Sequence, residues 1–332
     1  MFEGSRQSAF KGKKVIVTGG AGFIGSHIVD ELLARDAEVK VIDNMRSGQP
    51  KVVEQQKKNK KYSISKADIT DLAAMKSELK GYDFVFHLAA NADIRGGITN
   101  TKIDLEQNTL GTYNVIEAVR VNGIKDFCFT SSAAVYGNPS KIPTPEDIQL
   151  VQNSLYGASK LAGESLAQAF AEYYGIRNYI YRFVSIIGER YPHGCVIDFY
   201  RKLRKNPKEL EILGDGKQKK SFLYVGDCVK GVFAGIEGAK RNGGSDAKSL
   251  TNLYNLGNDY TIEINRVADI IIEEMGLNGA KKTYTGGEVG WIGDQKIVHL
   301  STDKIRSLGW MPEVKIEDGI RRTVRYLMEN EK

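Results

Sequence analysis

Three residue types that together can move a hydride and a proton stand in one frame in this chain. Tyr156 and Lys160 lie four apart in Tyr156-Gly157-Ala158-Ser159-Lys160, a spacing that places both on one face of a helix. Ser132 ends an apolar strand pattern over residues 127–131, and a glycine triplet, Gly19, Gly22 and Gly25, stands near the N-terminus. A free tyrosine titrates near 10 and is a poor base at neutral pH. An adjacent ammonium and the positive ring of a nicotinamide favour phenolate and lower that value. A fall of about three units corresponds to roughly 4 kcal/mol. Tyrosinate then takes the proton of an alcohol as hydride leaves its carbon, with the Ser132 hydroxyl on the same oxygen and Lys160 also anchoring the nicotinamide ribose. Isolated Tyr-x-x-x-Lys pairs are mostly surface residues. Here the serine-ended strand and the glycine turn favour the catalytic reading.

The glycines need a strand before them and a helix after. Lys13 to Thr18 is a short β-branched run that reads as a buried parallel strand. Ser26 to Leu33 has apolar residues at helical spacing. A turn without Cβ atoms lets the backbone approach a pyrophosphate at the helix N-terminus. The next strand pattern, 38–43, ends in Asp43, placed to accept ribose hydroxyls. Its carboxylate would repel a 2′-phosphate, which favours NAD, while Arg46 nearby leaves NADP open. A tight turn with no ligand is the plain alternative, and strand, helix and Asp43 together argue against it.

Strand patterns at 62–65, 84–88, 126–131 and 178–184 alternate with helical ones at 71–79, 101–122 and 154–174. This predicts an α/β fold, a doubly wound parallel (Rossmann) sheet with ligands at the carboxyl ends of its strands. Gly19, Asp43, Asp68, Leu88 to Asn91 and Ser132 fall at such ends. Beyond about 185 the rhythm loosens, with turn signals at 213–216 and 286–287 and helical patterns at 227–237, 262–275 and 316–329. The expected organisation is a cofactor domain over 1–184, with segments returning at roughly 225–258. A smaller interleaved α/β substrate lobe occupies mainly 185–332.

The 332 residues carry 47 Lys and Arg against 41 Asp and Glu, a net charge of +6. The one dense run, Lys57-Lys58-Asn59-Lys60-Lys61, has no interleaved aromatics and reads as a solvated loop, not a nucleic-acid site. Cys128, Cys195 and Cys228 are odd in number and far apart, so neither a disulfide framework nor a metal site is expected. Residues 1–10 have no apolar leader core, and no run of about 18 apolar residues occurs. A soluble, cytoplasmic protein with no membrane partner is expected.

The chain resembles the extended short-chain dehydrogenase/reductases of the nucleotide-sugar epimerase group over nearly its whole length, and is most similar to the UDP-glucose 4-epimerases. Residues 18–26 match the cofactor turn of that family, so the resemblance adds Phe23 and Ile24 to the glycines. It also adds Asn44 beside Asp43, Asp68 and Ile69 at the adenine, and Leu88, Ala89, Ala90, Asn108 and Phe183 around NAD. Residues 131–137, followed by Tyr156 and Lys160, are its most specific part. Ser132, Ser185, Cys195, Val196 and Lys220 fall at substrate positions.

The resemblance implies NAD-dependent C4 epimerisation of a UDP-sugar of the glucose/galactose type, through transient oxidation to a 4-keto sugar. Dehydratases of the family carry an acidic pair where this chain has Ala133 and Ala134. Decarboxylating relatives carry a glutamate that is missing too. Several positions depart from the pattern. Ser185 replaces an asparagine, Lys220 replaces an arginine, and a second arginine is absent near Val289-Gly290-Trp291, where Arg190 or Lys219 would have to compensate. Lysine brings charge without a bidentate fork. Another nucleotide sugar, UDP-N-acetylglucosamine or UDP-glucuronate, is the first rival reading, with Arg95 and Lys220 as adapting positions. A dinucleotide-binding sensor without turnover is the second, and an intact Ser132, Tyr156 and Lys160 argues against it. His193 reads as a loop residue, Cys195 as a packing residue, and His27 and His87 as packing beside the cofactor turn. The family pairs the helices at 101–122 and 154–174 in a homodimer, which Leu161, Leu166 and Phe170 could serve, unless they are simply core.

Overall fold

Short runs of β-branched and aromatic residues form the strands at the centre of the fold, seen in a computed structural model that describes residues 9–243 and 250–331. The stretch 1–8, most of the N-terminal segment considered above, lies outside them. Strands β1 (Lys14–Thr18), β2 (Glu38–Ile42), β3 (Tyr62–Ser65), β4 (Phe84–His87), β5 (Asp126–Ser132) and β6 (Arg177–Phe183) alternate with helices α1 (Phe23–Ala34), α2 (Pro50–Gln56), α3 (Leu72–Glu78), α4 (Gly96–Thr99), α5 (Lys102–Asp104), α6 (Gly111–Val121) and α7 (Leu155–Tyr174). After them come β7 (Ser185–Ile187), α8 (Cys195–Lys205), β8 (Glu209–Ile212), β9 (Lys219–Lys220), β10 (Phe222–Tyr224), α9 (Val225–Gly243) and β11 (Thr251–Leu256). The chain ends with β12 (Ile262–Glu263), α10 (Ile264–Glu274), β13 (Lys281–Tyr284), β14 (Ile297–Val298), α11 (Asp303–Arg306) and α12 (Ile316–Asn330).

Two compact units divide the chain. One takes the residues up to Ser131, Ala158–Tyr181 and Gly235–Leu253; the other takes Ser132–Gly157, Arg182–Ala234 and everything from Tyr254 onward.

A seven-stranded parallel sheet, most of it in the first unit, runs in the order β11-β6-β5-β4-β1-β2-β3. Val15 sits opposite Val39 and Phe84, and Val17 opposite Val41 and Phe86. These central residues are buried on both faces, which is why β1 and β4 read as continuous apolar runs instead of alternating ones. The strand order reverses between β1 and β4, the point where sheets of this kind open a ligand crevice. Helix α1 buries Gly25, Ser26, Ile28, Val29 and Leu32, one helical stripe. Behind β4 and β5, Val115, Ile116 and Val119 of α6 join Val85, Phe127 and Phe129 in a hydrophobic core cluster.

The helix expected over 101–122 is broken: α5 leads into a π-helical segment, Leu105–Leu110, before α6 resumes the ordinary pitch. Such bulges re-aim side chains and cluster at functional sites.

The second unit is built from small sheets, β7 with β10, β8 with β13, and β9 between β12 and β14. Its helices α8, α10 and α12 each bury one apolar face. Helix α8 was not anticipated from sequence, although Val196, Ile197, Phe199, Tyr200 and Leu203 form its buried stripe. Its last turn is basic, with Lys202, Arg204 and Lys205 interrupting that stripe. Among the described residues no helix is long and apolar enough to cross a membrane, and no group of three or more His, Cys, Asp or Glu side chains could hold a metal ion.

Candidate active site

The glycine turn of the first unit is closed by its own backbone. Gly19 has φ +71°, donates its N–H to the Ile42 carbonyl at 2.8 Å, and would put a Cβ 2.6 Å from the Ala89 nitrogen. A Cβ at Gly25 would collide with the Gly19 carbonyl oxygen. Gly22 is the N-cap of α1 and brings no side chain to bond the first-turn amides, so those N–H groups and the helix dipole are left to an anion. Asp43 stands at the end of β2 beside this turn, buried, with Oδ2 accepting from the Ala21 N–H at 3.1 Å and Oδ1 from Met45 at 2.8 Å. Burial raises its pKa, and the two amides work against that rise. Each oxygen keeps a lone pair, so two ribose hydroxyls could still donate to it. This donor set fits the pyrophosphate and ribose of a dinucleotide.

Asn44 donates to Asp68 Oδ2 at 2.9 Å, while Thr70 donates its N–H and hydroxyl to Oδ1 at 3.0 and 2.8 Å. These bonds tie the loop after β3 to the loop after β2. Ile69 is buried against Gly111, where a Cβ would lie 2.6 Å from Ile69 Cδ1, and its carbonyl accepts from Asn114 at 2.9 Å. Leu88 and Ala89 lie along Thr18, whose carbonyl and hydroxyl accept their N–H groups at 3.0 and 3.3 Å. Asn108, on the π-helical segment, exchanges bonds with Asn91, accepting its N–H at 2.7 Å and donating to its carbonyl at 3.2 Å. It also donates to Ser159 at 3.0 Å and to Asp104 at 3.1 Å. Asn108 therefore fixes the loop that follows Ala90. His87, buried between the Thr18 and Thr112 hydroxyls at 2.7 and 3.0 Å, is pushed down to about 3 by burial and is neutral. It packs, as expected.

Lys160 is buried in the same unit. Its Nζ donates to the Thr130 carbonyl at 2.9 Å and lies 5.1 Å from the centre of the Phe129 ring. Burial draws its pKa down to about 8, against the pull of Asp104 and Glu164. Asp104 and Glu164 were not picked out from sequence, and Ser131 only as the start of the 131–137 motif. The readable signal was Glu164, four residues after Lys160 on a face otherwise made of small and apolar residues.

In the second unit Ser132 caps a 3₁₀ turn, Ala133–Tyr136, its hydroxyl accepting the Ala134 N–H at 3.1 Å. The first turn of α7 lies against that segment, so close that a Cβ on Gly157 would be 2.5 Å from the Ala134 carbonyl oxygen. Ser154 accepts the Gly157 N–H at 3.1 Å and Gln152 donates to the Val135 carbonyl at 2.7 Å. Ser132 and half-buried Tyr156 are thus carried by two segments in direct contact. Below them, Tyr136 donates to Asn255 at 2.7 Å and accepts from Arg182 at 2.8 Å, all three buried. This lock was also missed from sequence.

Ser185 is exposed at the start of β7, paired with Phe222, and Phe183 is buried just before it. Cys195 and Val196 begin α8 behind the N-cap Gly194. Burial pushes the Cys195 thiol up to about 12, which leaves it inert as a nucleophile at neutral pH. Lys220 does not face solvent alone: Nζ donates to Asp294 Oδ1 at 2.7 Å and to the Gln295 carbonyl. Asp294 Oδ2 accepts the Gly290 N–H at 3.1 Å. An ammonium has three protons, so these partners leave one for an anion.

Residues 15–257 match the family described as the NAD dependent epimerase/dehydratase family. A putative UDP-glucose 4-epimerase of Methanocaldococcus jannaschii is 33% identical over 95% of this chain and 99% of its own length. A crystal structure of a UDP-galactose 4-epimerase, 33% identical, superposes with a TM-score of 0.85 over 95% of this chain and 99% of that one. A UDP-N-acetylglucosamine 4-epimerase from Methanobrevibacter ruminantium, solved in complex with UDP-N-acetylmuramic acid, is 30% identical with a TM-score of 0.83. Coverage there is 96% of this chain and 99% of that one.

Proposed function

The chain belongs to the NAD dependent epimerase/dehydratase family, and from that premise we propose that it is a cytoplasmic NAD-dependent 4-epimerase of a UDP-sugar of the glucose/galactose type. The unit that carries the glycine turn and Asp43 is assigned to the cofactor, and the unit that carries Lys220, Cys195 and Val196 to the nucleotide sugar. The reading rests above all on the contact of the Ser132 turn with the first turn of α7, which provides for a hydroxyl and a phenol on one substrate oxygen.

Tyr156 takes the proton of the C4 hydroxyl and later returns it. Ser132 donates to the same oxygen and keeps it in line. Lys160 favours the phenolate of Tyr156 through its charge. When bound, NAD supplies a reversible hydride acceptor for C4, and return of hydride to the other face of a rotated keto sugar yields the epimer with no net redox. Ala133 and Ala134 offer no acid or base for dehydration. Lys220, with one N–H left, provides a single directed contact to the diphosphate.

UDP-N-acetylglucosamine is the second reading, supported by the likeness to the Methanobrevibacter enzyme. NMR of the C4 proton with each UDP-sugar and added NAD tests the assignment. An epimer formed without accumulation of NADH supports it, and no change in any sugar overturns it. A homodimer through α6 and α7 accords with exposed Leu105, Leu110, Tyr113, Val121, Tyr173 and Tyr174.

Asp43 sets the cofactor preference in this account. Asp43→Asn keeps an acceptor for one backbone amide and removes the charge that opposes a 2′-phosphate. Loss of a charged hydrogen bond is worth about 1.5 kcal/mol, so NAD binds about tenfold more weakly. NADP loses less, and titration calorimetry with both dinucleotides reads the difference.

A further inference from the structure

A buried ammonium that has lost its water gives up its proton unless charges nearby replace the solvent. Lys160 is 4% exposed, and the Thr130 carbonyl and the Phe129 ring are neutral. Two carboxylates of the same unit are as deeply buried, Glu164 at 0% and Asp104 at 1% exposed. Glu164 follows Lys160 by one helical turn, on the same face, and accepts the Ser131 hydroxyl at 2.5 Å. It therefore joins the helix of Lys160 to the strand residue that precedes Ser132. Asp104 reaches the site from α5. Its Oδ1 accepts the Asn91 and Asn108 amides at 2.9 and 3.1 Å, and its Oδ2 is buried with no hydrogen-bond partner. An oxygen in that state costs free energy unless a positive charge is near enough to favour it.

Both carboxylates pull toward the charged form of Lys160. The other titratable groups there do not. His87 is neutral with both ring nitrogens taken, and the Asp104 carboxyl is itself raised, by burial first and by Asp93 as well, with the Asn91 amide and Lys160 acting against that rise.

We propose that Glu164 and Asp104 are positioning residues that supply the counter-charge of Lys160, keeping its ammonium protonated at working pH so that it can support Tyr156. This rests on the reading of Lys160 as the partner of Tyr156. No proton need pass through either carboxylate. Their charge fixes the proton on Nζ, and the Ser131 bond fixes where that charge sits.

The test is a ¹³C NMR pH titration of protein labelled at the lysine Cε, with no sugar present and the Lys160 resonance assigned by its loss in Lys160→Met. Glu164→Gln keeps the shape and a partner for Ser131 while removing the charge. Asp104→Asn does the same on the other side. Each is expected to lower the Lys160 pKa by about one unit from about 8, and the double variant more. The alkaline limb of kcat for sugar turnover should move to lower pH in the same order. An unmoved Lys160 titration, even with a lowered Tm, overturns the proposal by making both residues merely structural. Should Glu164→Gln fail to fold, Asp104→Asn carries the same test. Displaced titrations in a protein that epimerises no sugar would uphold the counter-charge assignment and overturn the function instead.

Discussion

Tyr156→Phe is expected to reduce kcat about 1000-fold while leaving the fold and dinucleotide binding intact. In the proposed function the lost hydroxyl is the base for the proton of the C4 hydroxyl, and general base catalysis contributes about 10²–10⁴-fold. A factor of 1000 corresponds to about 4 kcal/mol of transition-state stabilisation. The phenol is half-buried, and the neighbouring Gly157 contact and Ser154 cap do not involve it. Loss of one hydroxyl should change stability by about 1 kcal/mol at most. KM for the sugar should change little, because the lost interaction acts mainly in the transition state. A loss of activity matched by a large fall in Tm would point to a structural phenol. Thermal unfolding and steady-state rates on one preparation separate the two.

The second large effect belongs to Gly25→Ala. The added methyl meets the Gly19 carbonyl oxygen head-on and comes within 2.9 Å of Gly20 Cα. Both obstacles are backbone, and Gly19 is itself held by the Ile42 carbonyl at 2.8 Å and crowded by Ala89. The strain cannot be relieved by a side-chain rotation, so a cost of about 3 kcal/mol is expected. Relief by withdrawal of α1 would spoil the anion site at its N-terminus, so NAD affinity should fall about 100-fold or more, about 2.7 kcal/mol. Calorimetry and thermal unfolding read the two losses. An alanine variant with unchanged Tm and NAD affinity would contradict the turn geometry.

Sequence reasoning reached the parts of the molecule that depend on local pattern. The strand of β-branched residues, the glycine turn and the first helix occupy consecutive residues, so β1, the turn and α1 were legible together. The same holds for α7 with Tyr156 and Lys160 on one face. Asp104 could not be found this way, because it is far from Lys160 in sequence, and a buried carboxylate has the same letter as a solvated one. The π-helical segment at Leu105–Leu110 was hidden for a related reason: its residues suit an ordinary helix, and the extra residue per turn is set by tertiary bonds such as Asn108 to Asn91 and Ser159. Lys220 shows the limit from the other side. Its place in the sequence suggested a cation offered to phosphate, and only the fold brings Asp294 and Gln295 to it. The small sheets beyond residue 185 were illegible because strands of two to four residues leave no periodicity to read.

The central claim is that C4 is epimerised by hydride removal and return, with Tyr156 handling only the hydroxyl proton. The most direct measurement is to run the UDP-sugar reaction in D₂O with bound NAD and examine C4 of both epimers by NMR and mass spectrometry. The account predicts interconversion with no deuterium at C4, since the hydrogen on that carbon never exchanges with water. Deuterium incorporated at C4 in step with epimerisation would mean carbon deprotonation and reprotonation, and would contradict the assignment of Ser132, Tyr156 and Lys160.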